Sequence, residues 1–162
     1  MELITERLLI NKFTEDDLEA WFFIESNFEV RKYIDQRILN LDEAQSYIRN
    51  SIQSYINKGY GRYAVRDKTN NKLLGMCGFL LDGMEIDFGY RYCPSAWGNG
   101  IGSEAANIVF EFGINTLDLK PIIAGVHPEN YASEKIIRNL GFRFVSEVPF
   151  KGKLYHKYEF SY

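Results

Sequence analysis

The chain has 162 residues, 46% hydrophobic and 25% charged, a balance typical of one globular domain that buries roughly 70% of the surface its unfolded chain exposes. Its formal net charge of -3 gives no general attraction to phosphate backbones, so we expect no nucleic-acid partner and a local site for any anionic ligand. The two cysteines lie too far apart in sequence for a CxxC metal or redox motif, and no metal is expected.

Targeting and membrane signals are not evident in the sequence. The first seven residues carry acids where a signal peptide has basic residues, and no apolar run approaches the ~20 residues of a membrane span. We therefore expect a single domain over 1–162, located in the cytoplasm and not associated with membranes.

The first part of the chain alternates between strand and helix signals. A strand is predicted over 8–13, followed by a helix that Thr14 caps. A second helix follows Asp42, because apolar residues recur every three or four positions until Gly59. The period then changes to two, which predicts an antiparallel meander. Its strands are expected over 61–66, 73–81 and 85–92.

The second part begins with a glycine-rich loop and a helix that starts near Ser103. The elements predicted after it are a strand over 122–126, a helix over 132–140 and strands over 142–148 and 154–160. A meander followed by one strand–helix–strand crossover predicts an α+β domain with a mixed sheet.

Three alternating glycines, Gly98, Gly100 and Gly102, lie between a strand and a helix. Such a loop lets backbone N–H groups converge on an anion, and the helix dipole adds positive potential there. The alternative is a flexible turn whose glycines only satisfy positive φ angles. No Walker motif is present, and the GxGxG spacing with a single crossover argues against a dinucleotide fold, so neither ATP nor NAD is expected.

Several short segments, taken together and in order, resemble the GNAT superfamily of N-acetyltransferases. Within that superfamily they resemble the subgroup related to ribosomal-protein N-terminal (Rim-type) acetyltransferases. The segments are TERL at 5–8, FTEDD at 13–17, DFGY at 87–90, Pro94, WGNGIGSEA at 97–105, NYAS at 130–133 and LGF at 140–142. Each is weak alone, but their order and spacing are specific.

This resemblance implies a GNAT-like fold with a mostly antiparallel sheet of about six or seven strands, about four helices and one splayed parallel strand pair. The strand 85–92 would be bulged and would diverge from 122–126, leaving a cleft for the pantetheine arm of acetyl-CoA, the co-substrate. The pyrophosphate would meet the loop. The residues that the resemblance assigns to acetyl-CoA are Tyr92, Trp97, Gly98, Asn99, Gly100, Ile101, Gly102, Ser103, Asn130 and Ser133.

An amine attacks a thioester only when it is neutral. Deprotonation at pH 7 costs about 1.4 kcal/mol for an α-amine of pKa near 8 and about 4.6 kcal/mol for a lysine-like amine. Asp87 lies where the subgroup often has Glu, and Glu85 shares its strand face if the strand is regular. Either could accept the proton. The alternative is that both are solvated charges on an outer strand.

The later steps involve other residues. The resemblance assigns the oxyanion donor to a backbone N–H within 90–92. Many members of the superfamily protonate the departing thiolate with a Tyr in the last helix, but Ile137 occupies that position here. The resemblance places Asn130 near the pantetheine, and Ser133 could hydrogen-bond the sulfur or an ordered water, so both are candidate catalytic residues. Alternatively, both serve only the local loop and helix.

The resemblance places the acceptor wall at the first two helices and their connection, which makes Phe28, Glu29 and Tyr33 substrate-binding candidates. Acidic groups there, including Glu25, could attract a cationic amine, although core aromatics and a solvated rim are the alternative. His127 and both cysteines are expected to be structural.

These observations predict an N-acetyltransferase that moves acetyl from acetyl-CoA to a primary amine by direct attack, with a protein N-terminal α-amine as the acceptor. One alternative is acetylation of a small amine such as a polyamine, amino acid or aminoglycoside. Another is a catalytically silent acyl-CoA-binding module, because of Ile137. A homodimer is compatible with a small aromatic-rich domain, but no residue marks an interface.

Overall fold

The computed structural model describes residues 1–161. Its helices are α1 (Leu18–Glu25), α2 (Phe28–Arg31), α3 (Leu41–Lys58), α4 (Ile101–Asn115) and α5 (Tyr131–Asn139). Its strands are β1 (Glu2–Ile4), β2 (Leu8–Asn11), β3 (Arg62–Asp67), β4 (Leu73–Asp82), β5 (Glu85–Tyr92), β6 (Ile122–Val126), β7 (Arg143–Phe150) and β8 (Lys153–Phe160).

The strands form one mixed sheet in the order β1-β2-β3-β4-β5-β6-β8-β7. Among the strands of residues 1–161, only β5 and β6 pair in parallel, and all other neighbours are antiparallel. The predicted α+β fold with one parallel pair is therefore confirmed. Within the described residues the sheet has eight strands, one more than the upper number predicted, and the extra strand is the three-residue edge strand β1. The one-turn helix α2 was likewise not predicted.

Local sequence explains where the helices begin and end. The Asn40 side chain accepts a hydrogen bond from the Glu43 N–H at 2.9 Å, and the Glu43 carboxylate accepts one from the Asn40 N–H at 2.9 Å. This capping box starts α3, and Gly59 ends it in the left-handed conformation at φ 79°. In α5, Asn130 plays the capping role by accepting from the Ser133 N–H at 3.2 Å.

β5 lies in the middle of the sheet, and its side chains alternate between two environments. Phe88 contacts Phe110 of α4 with ring centroids 5.5 Å apart, so one face of β5 packs on α4. The guanidinium of Arg91 lies 5.8 Å from the ring of Trp21 in α1, so the opposite face packs toward α1 and α3. We call these the α4 face and the α1/α3 face.

The parallel pairing of β5 with β6 is short. Only Ile86 with Ile122 and Asp87 with Ile123 are paired, and beyond them the two strands diverge. A gap therefore opens between the second half of β5 and the end of β6, as the resemblance implied.

The bulge that the resemblance implied in β5 is not found. β4 and β5 pair in continuous register over eight residue pairs, from Gly75 with Tyr92 to Asp82 with Glu85. The register shifts of the sheet lie instead between β3 and β4 and between β7 and β8. The gap thus arises where β5 and β6 cease to pair, while β6 continues to pair with β8 along its whole length.

Candidate active site

The loop between β5 and α4 ends in a helix N-terminus with free backbone donors. Gly98 and Gly100 have φ angles of 74° and 83°, which a residue with a Cβ adopts only at a cost. Gly100 caps α4 without a side-chain hydrogen bond, so among the described residues no side chain caps the first-turn N–H groups of Ile101, Gly102 and Ser103. Such N–H groups and the helix dipole attract an anion, and this geometry fits a pyrophosphate.

Arg7, the residue before β2, holds this loop in place. Its Nη1 donates to the backbone oxygen of Asn99 at 2.8 Å, and its Nε donates to the Glu104 carboxylate at 2.7 Å. A Cβ at Gly100 would come within 3.3 Å of the Arg7 guanidinium. Arg7 belongs to the TERL segment, but its contact with Glu104 has no local sequence signal because 97 positions separate the two residues.

The other residues predicted around the loop differ in exposure. Asn99 and the Trp97 side chain are exposed, and the indole N–H of Trp97 donates to the backbone oxygen of Tyr92 at 2.9 Å. The side chains of Tyr92 and Ile101 are buried in the core. Ile101 can therefore reach a ligand in the loop only through its backbone.

Backbone N–H groups of β5 face the gap. Alternate residues of an antiparallel ladder bond to the partner strand, and the Cys93 N–H donates to the Leu74 oxygen of β4 at 2.7 Å. In the continuous register, Arg91 and Gly89 then also bond to β4, while the N–H groups of Tyr90 and Tyr92 point toward β6. They lie beyond the last β5–β6 pair, in the part of β5 that the resemblance assigns to the oxyanion donor.

On the α4 face of the gap, Ser133 meets a residue that sequence reasoning did not assign. The hydroxyls of Tyr90 and Ser133 are 3.0 Å apart, and the Tyr90 hydroxyl is also 3.0 Å from the backbone oxygen of Ser133. Asn130 lies beside them, and its side-chain oxygen caps α5. Tyr90 falls within the DFGY segment, but its separation of 43 positions from Ser133 gave no signal.

Asp87 lies where the β5–β6 pairing ends, and its side chain faces the α1/α3 face. Its carboxylate forms an ion pair with Arg62 of β3. The same guanidinium donates to the backbone oxygens of Gly78 and Asp87. A Cβ at Gly89 would come within 2.9 Å of it, so glycine leaves room for Arg62. Burial raises the pKa of Asp87 above its usual range, although the charge of Arg62 acts in the opposite direction.

Glu85 shares this face, as a regular strand requires, and both carboxylates line the same cleft. Glu85 forms an ion pair with Lys157 of β8 at 2.6 Å, and its side chain is 44% exposed. Asp87 is thus nearer the end of the paired segment and less exposed than Glu85, with 25% of its side chain accessible.

The α1/α3 face carries a cleft of about 910 Å³. Its walls come from the α2–α3 connection, from α3, and from the β4–β5 and β7–β8 hairpins. The Tyr155 hydroxyl is 2.6 Å from the backbone oxygens of both Tyr33 and Ile34, and the Lys151 ammonium is 3.1 Å from the Asp35 carboxylate. These contacts tie the β7–β8 hairpin to the α2–α3 connection and close one end of the cleft.

The predicted acceptor residues are only partly brought to this cleft. Tyr33 lines it, whereas Phe28 and Glu29 are exposed on α2 and are not among the lining residues. Glu25 does not present its charge to the cleft, because it is fully buried and accepts hydrogen bonds from both Arg31 and Arg91. Neighbouring residues of a helix point in different directions, so Phe28 and Glu29 do not reach the cleft although they are close to Tyr33 in sequence.

Ile137, the two cysteines and His127 pack against other parts of the protein. Ile137 is 1% exposed in the core, so α5 offers no hydroxyl at that position. Both cysteines are buried, and burial raises the pKa of the Cys77 thiol to about 12. His127 packs against the ring of Tyr33 at 5.2 Å. Residues 1–161 contain no group of three or more metal-ligating side chains, and none of their helices is long and apolar enough to cross a membrane.

The sheet has one splayed parallel pair, the N-terminus of α4 lies beside the gap, and the Asp87 carboxylate lines a cleft on the other side of β5. This is the arrangement that the resemblance implied for an acetyl-CoA-dependent acyltransferase. The family model described as "Acetyltransferase (GNAT) domain" matches residues 7–143. The chain therefore belongs to the GNAT family of N-acetyltransferases, acyltransferases that use acetyl-CoA.

Individual relatives agree with this. The chain is 30% identical over 145 residues to the uncharacterized N-acetyltransferase YoaA of Bacillus subtilis, covering 87% of this chain and 82% of YoaA. A GNAT-family acetyltransferase from Bacillus anthracis superposes with a TM-score of 0.80 at 27% identity, covering 98% of this chain and 96% of that one. A ribosomal L7/L12 α-N-protein acetyltransferase, RimL, solved with coenzyme A, has a similar fold, with a TM-score of 0.77 at 18% identity over 97% and 93% of the two chains.

Proposed function

We propose that this acetyltransferase acetylates an N-terminal α-amine, with Asp87 as the base. The carrying observation is the position of Asp87: its carboxylate lies where the β5–β6 gap begins and faces a cleft of about 910 Å³. An amine that enters from the α1/α3 face meets this carboxylate at the gap. The N-terminus of α4, where acetyl-CoA would bind, lies on the other side of β5.

The strength of the base favours an α-amine. Asp87 is a carboxylate whose pKa is raised by burial but held back by Arg62, so it remains a much weaker base than a lysine amine. Such a base is sufficient for an α-amine, whose deprotonation at pH 7 costs about 1.4 kcal/mol, whereas a lysine-like amine requires about 4.6 kcal/mol. The similarity of the fold to that of RimL, which acetylates an α-amine of a ribosomal protein, supports the same choice.

The donor would be held by the loop and the gap. The N–H groups of Ile101, Gly102 and Ser103 would bind the pyrophosphate, and the N–H groups of Tyr90 and Tyr92 would face the pantetheine arm and the developing oxyanion. When bound, acetyl-CoA supplies an activated acetyl thioester. Asp87 takes a proton from the ammonium before attack, directly or through one water, and returns it to solvent through the open cleft.

A matched pair of peptides tests this proposal. One peptide has a free α-amine and an acetylated lysine, and the other has a blocked N-terminus and a free lysine. CoA release measured with acetyl-CoA should be at least tenfold faster with the first peptide, because of the difference in deprotonation cost. Polyamines, free amino acids and aminoglycosides complete the panel.

Each alternative has its own outcome in this panel. Faster CoA release with a polyamine, amino acid or aminoglycoside than with any peptide would show that the acceptor is a small molecule and not a protein N-terminus. Binding of acetyl-CoA without release on any amine would favour the silent module, which the buried Ile137 had left open.

A further inference from the structure

Two hydroxyl groups meet on the α4 face of the gap. Tyr90 is three residues beyond Asp87, where pairing with β6 ends, and Ser133 is in the first turn of α5, the helix that follows β6. Their hydroxyl oxygens are 3.0 Å apart. The contact therefore connects the two sides of the gap in which the pantetheine arm is proposed to lie.

The hydrogens of this pair can be arranged in two ways. The Tyr90 hydroxyl carries one hydrogen and has two acceptors at 3.0 Å, the backbone oxygen and the hydroxyl oxygen of Ser133. If Tyr90 donates to the backbone oxygen, the Ser133 hydroxyl can donate back to Tyr90. If Tyr90 donates to the Ser133 hydroxyl, the hydrogen of Ser133 is free for another acceptor.

We propose that Tyr90 is a positioning residue whose hydroxyl donates a hydrogen bond to Ser133 Oγ. The Ser133 hydroxyl then donates a hydrogen bond to the thiolate sulfur that leaves acetyl-CoA. This inference rests on the proposed function. It assigns to β5 and α5 together the stabilisation that a tyrosine at the position of Ile137 would otherwise provide.

The pair acts by hydrogen bonding and not by proton transfer. Burial raises the pKa of Tyr90, and the bond with Ser133 opposes this only in part, so its hydroxyl stays protonated at neutral pH. When the carbon–sulfur bond breaks, its electron pair goes to sulfur. The attacking nitrogen loses two protons, one before attack and one after it, and water returns one of them to the sulfur. Tyr90 and Ser133 begin and end with the same hydrogens.

The first test needs no acceptor and measures the pKa of the coenzyme A thiol bound to the protein, from the pH dependence of thiolate absorbance. In the wild type this pKa should lie about one unit, or tenfold in the equilibrium, below that of free coenzyme A. Ser133→Ala and Tyr90→Phe should both bring it back toward the free value. Ser133→Ala keeps the backbone N–H that Asn130 accepts, so the cap of α5 survives.

The second test is kinetic. Tyr90→Phe should lower kcat about tenfold and change the KM for acetyl-CoA less than threefold, because the hydrogen bond strengthens as charge develops on sulfur. In the Ser133→Ala background, Tyr90→Phe should cause no further loss. Tyr158→Phe is the matched control: its hydroxyl donates to Glu134 of the same helical turn at 2.8 Å, and its removal should leave kcat unchanged.

Several outcomes would overturn the proposal. These are an unshifted thiol pKa in wild-type protein that binds coenzyme A, additive losses in the double variant, or an equal loss in Tyr158→Phe, which would mean that only anchoring of α5 matters. A protein that does not bind coenzyme A at all would overturn the proposed function as well. A shifted thiol pKa without turnover on any amine would support Tyr90 and Ser133 and contradict the acceptor assignment alone.

Discussion

The α4 face and the α1/α3 face of β5 are built over different sequence distances. On the α4 face, the proposed anion site comes from one contiguous stretch that includes Gly98 and Gly100, and its donors are backbone N–H groups. On the α1/α3 face, charged side chains meet from distant parts of the chain: Arg62 pairs with Asp87 across 25 positions and Arg91 with Glu25 across 66. A site made of backbone can be recognised from a short motif, whereas a site made of distant side-chain pairs cannot.

The ion pairs on the α1/α3 face also restrict what it can bind. Arg91 pairs with the buried Glu25, Arg31 pairs with both Glu25 and Asp35, and Arg62 pairs with Asp87. The guanidinium groups therefore position carboxylates and do not offer a free anion site. This is the opposite of the α4 face, where the helix N-terminus has donors to spare.

The largest effect should come from the α1/α3 face. Asp87→Asn removes the proposed base, and kcat/KM for a peptide acceptor should fall by about 10²-fold or more, the usual contribution of general-base catalysis. The KM for acetyl-CoA should change little. Steady-state measurement of CoA release gives both values.

The pH profile provides the control for this variant. Since burial raises the pKa of Asp87, the wild-type kcat/KM should be lost, as the pH falls, at a higher pH than an ordinary carboxylate would give, and Asp87→Asn should abolish this limb. Glu85→Gln should cause a smaller loss, because Glu85 is more exposed and pairs with Lys157. An equal loss in both variants would contradict the assignment of the base to Asp87.

A stability effect should follow from Asp35, which ties the cleft wall to Lys151. Burial alone would raise the pKa of Asp35, but hydrogen bonds from Arg31 and Lys151 outweigh it and lower the pKa to about 2. A lowered folded pKa means that the ionised form stabilises the protein above pH 4, and that this stabilisation is lost as the pH falls toward 2. Asp35→Asn should lower the free energy of unfolding by about 2 kcal/mol at pH 7 in denaturant titrations.

The corresponding control is Asp118→Asn, which breaks an ion pair with Lys120 in which the Asp118 side chain is 78% exposed. It should change the stability much less, because exposed ion pairs contribute little. A deficit of Asp35→Asn that persisted unchanged at pH 2 would show that its carboxylate charge is not the cause.

On the α4 face, Gly100→Ala should raise the KM for acetyl-CoA about tenfold. The left-handed conformation costs a residue with a Cβ about 1–2 kcal/mol, and the loop would relax away from the geometry that presents its N–H groups. The KM for the acceptor should stay unchanged. Gly152→Ala is matched in backbone strain, with φ 79° at the β7–β8 turn, and should leave the KM for acetyl-CoA as it is.

The smallest effect is expected for Arg7→Gln, which removes the ion pair with Glu104 that holds the loop. The KM for acetyl-CoA should rise about threefold, because the Arg7 side chain is 43% exposed and such pairs are worth little. The difference from wild type should shrink at high salt. Arg49→Gln, which breaks an exposed pair with Glu15, should have no such effect.

The sequence-based predictions were accurate for fold elements with a local pattern and not for side-chain partners that are distant in sequence. The meander, the crossover and the loop were predicted from periodicity and glycine spacing, and the structure confirms them with small changes at the edges. Glu25 was expected as an exposed acid and is instead fully buried, because its charge is satisfied by Arg31 and Arg91 from other elements. The partnership of Tyr90 with Ser133 also had no local signal.

The sequence by itself determined the family, the fold class and the position of the glycine loop, because each leaves a pattern in hydrophobic periodicity, glycine spacing or the order of short segments. Only the tertiary structure decided which carboxylate lies at the gap, which guanidinium groups pair with the carboxylates on the α1/α3 face and which hydroxyl contacts Ser133. These depend on how the strands are ordered and where β6 leaves β5. The folded sheet brings together side chains that are separated by 25 to 116 positions along the chain.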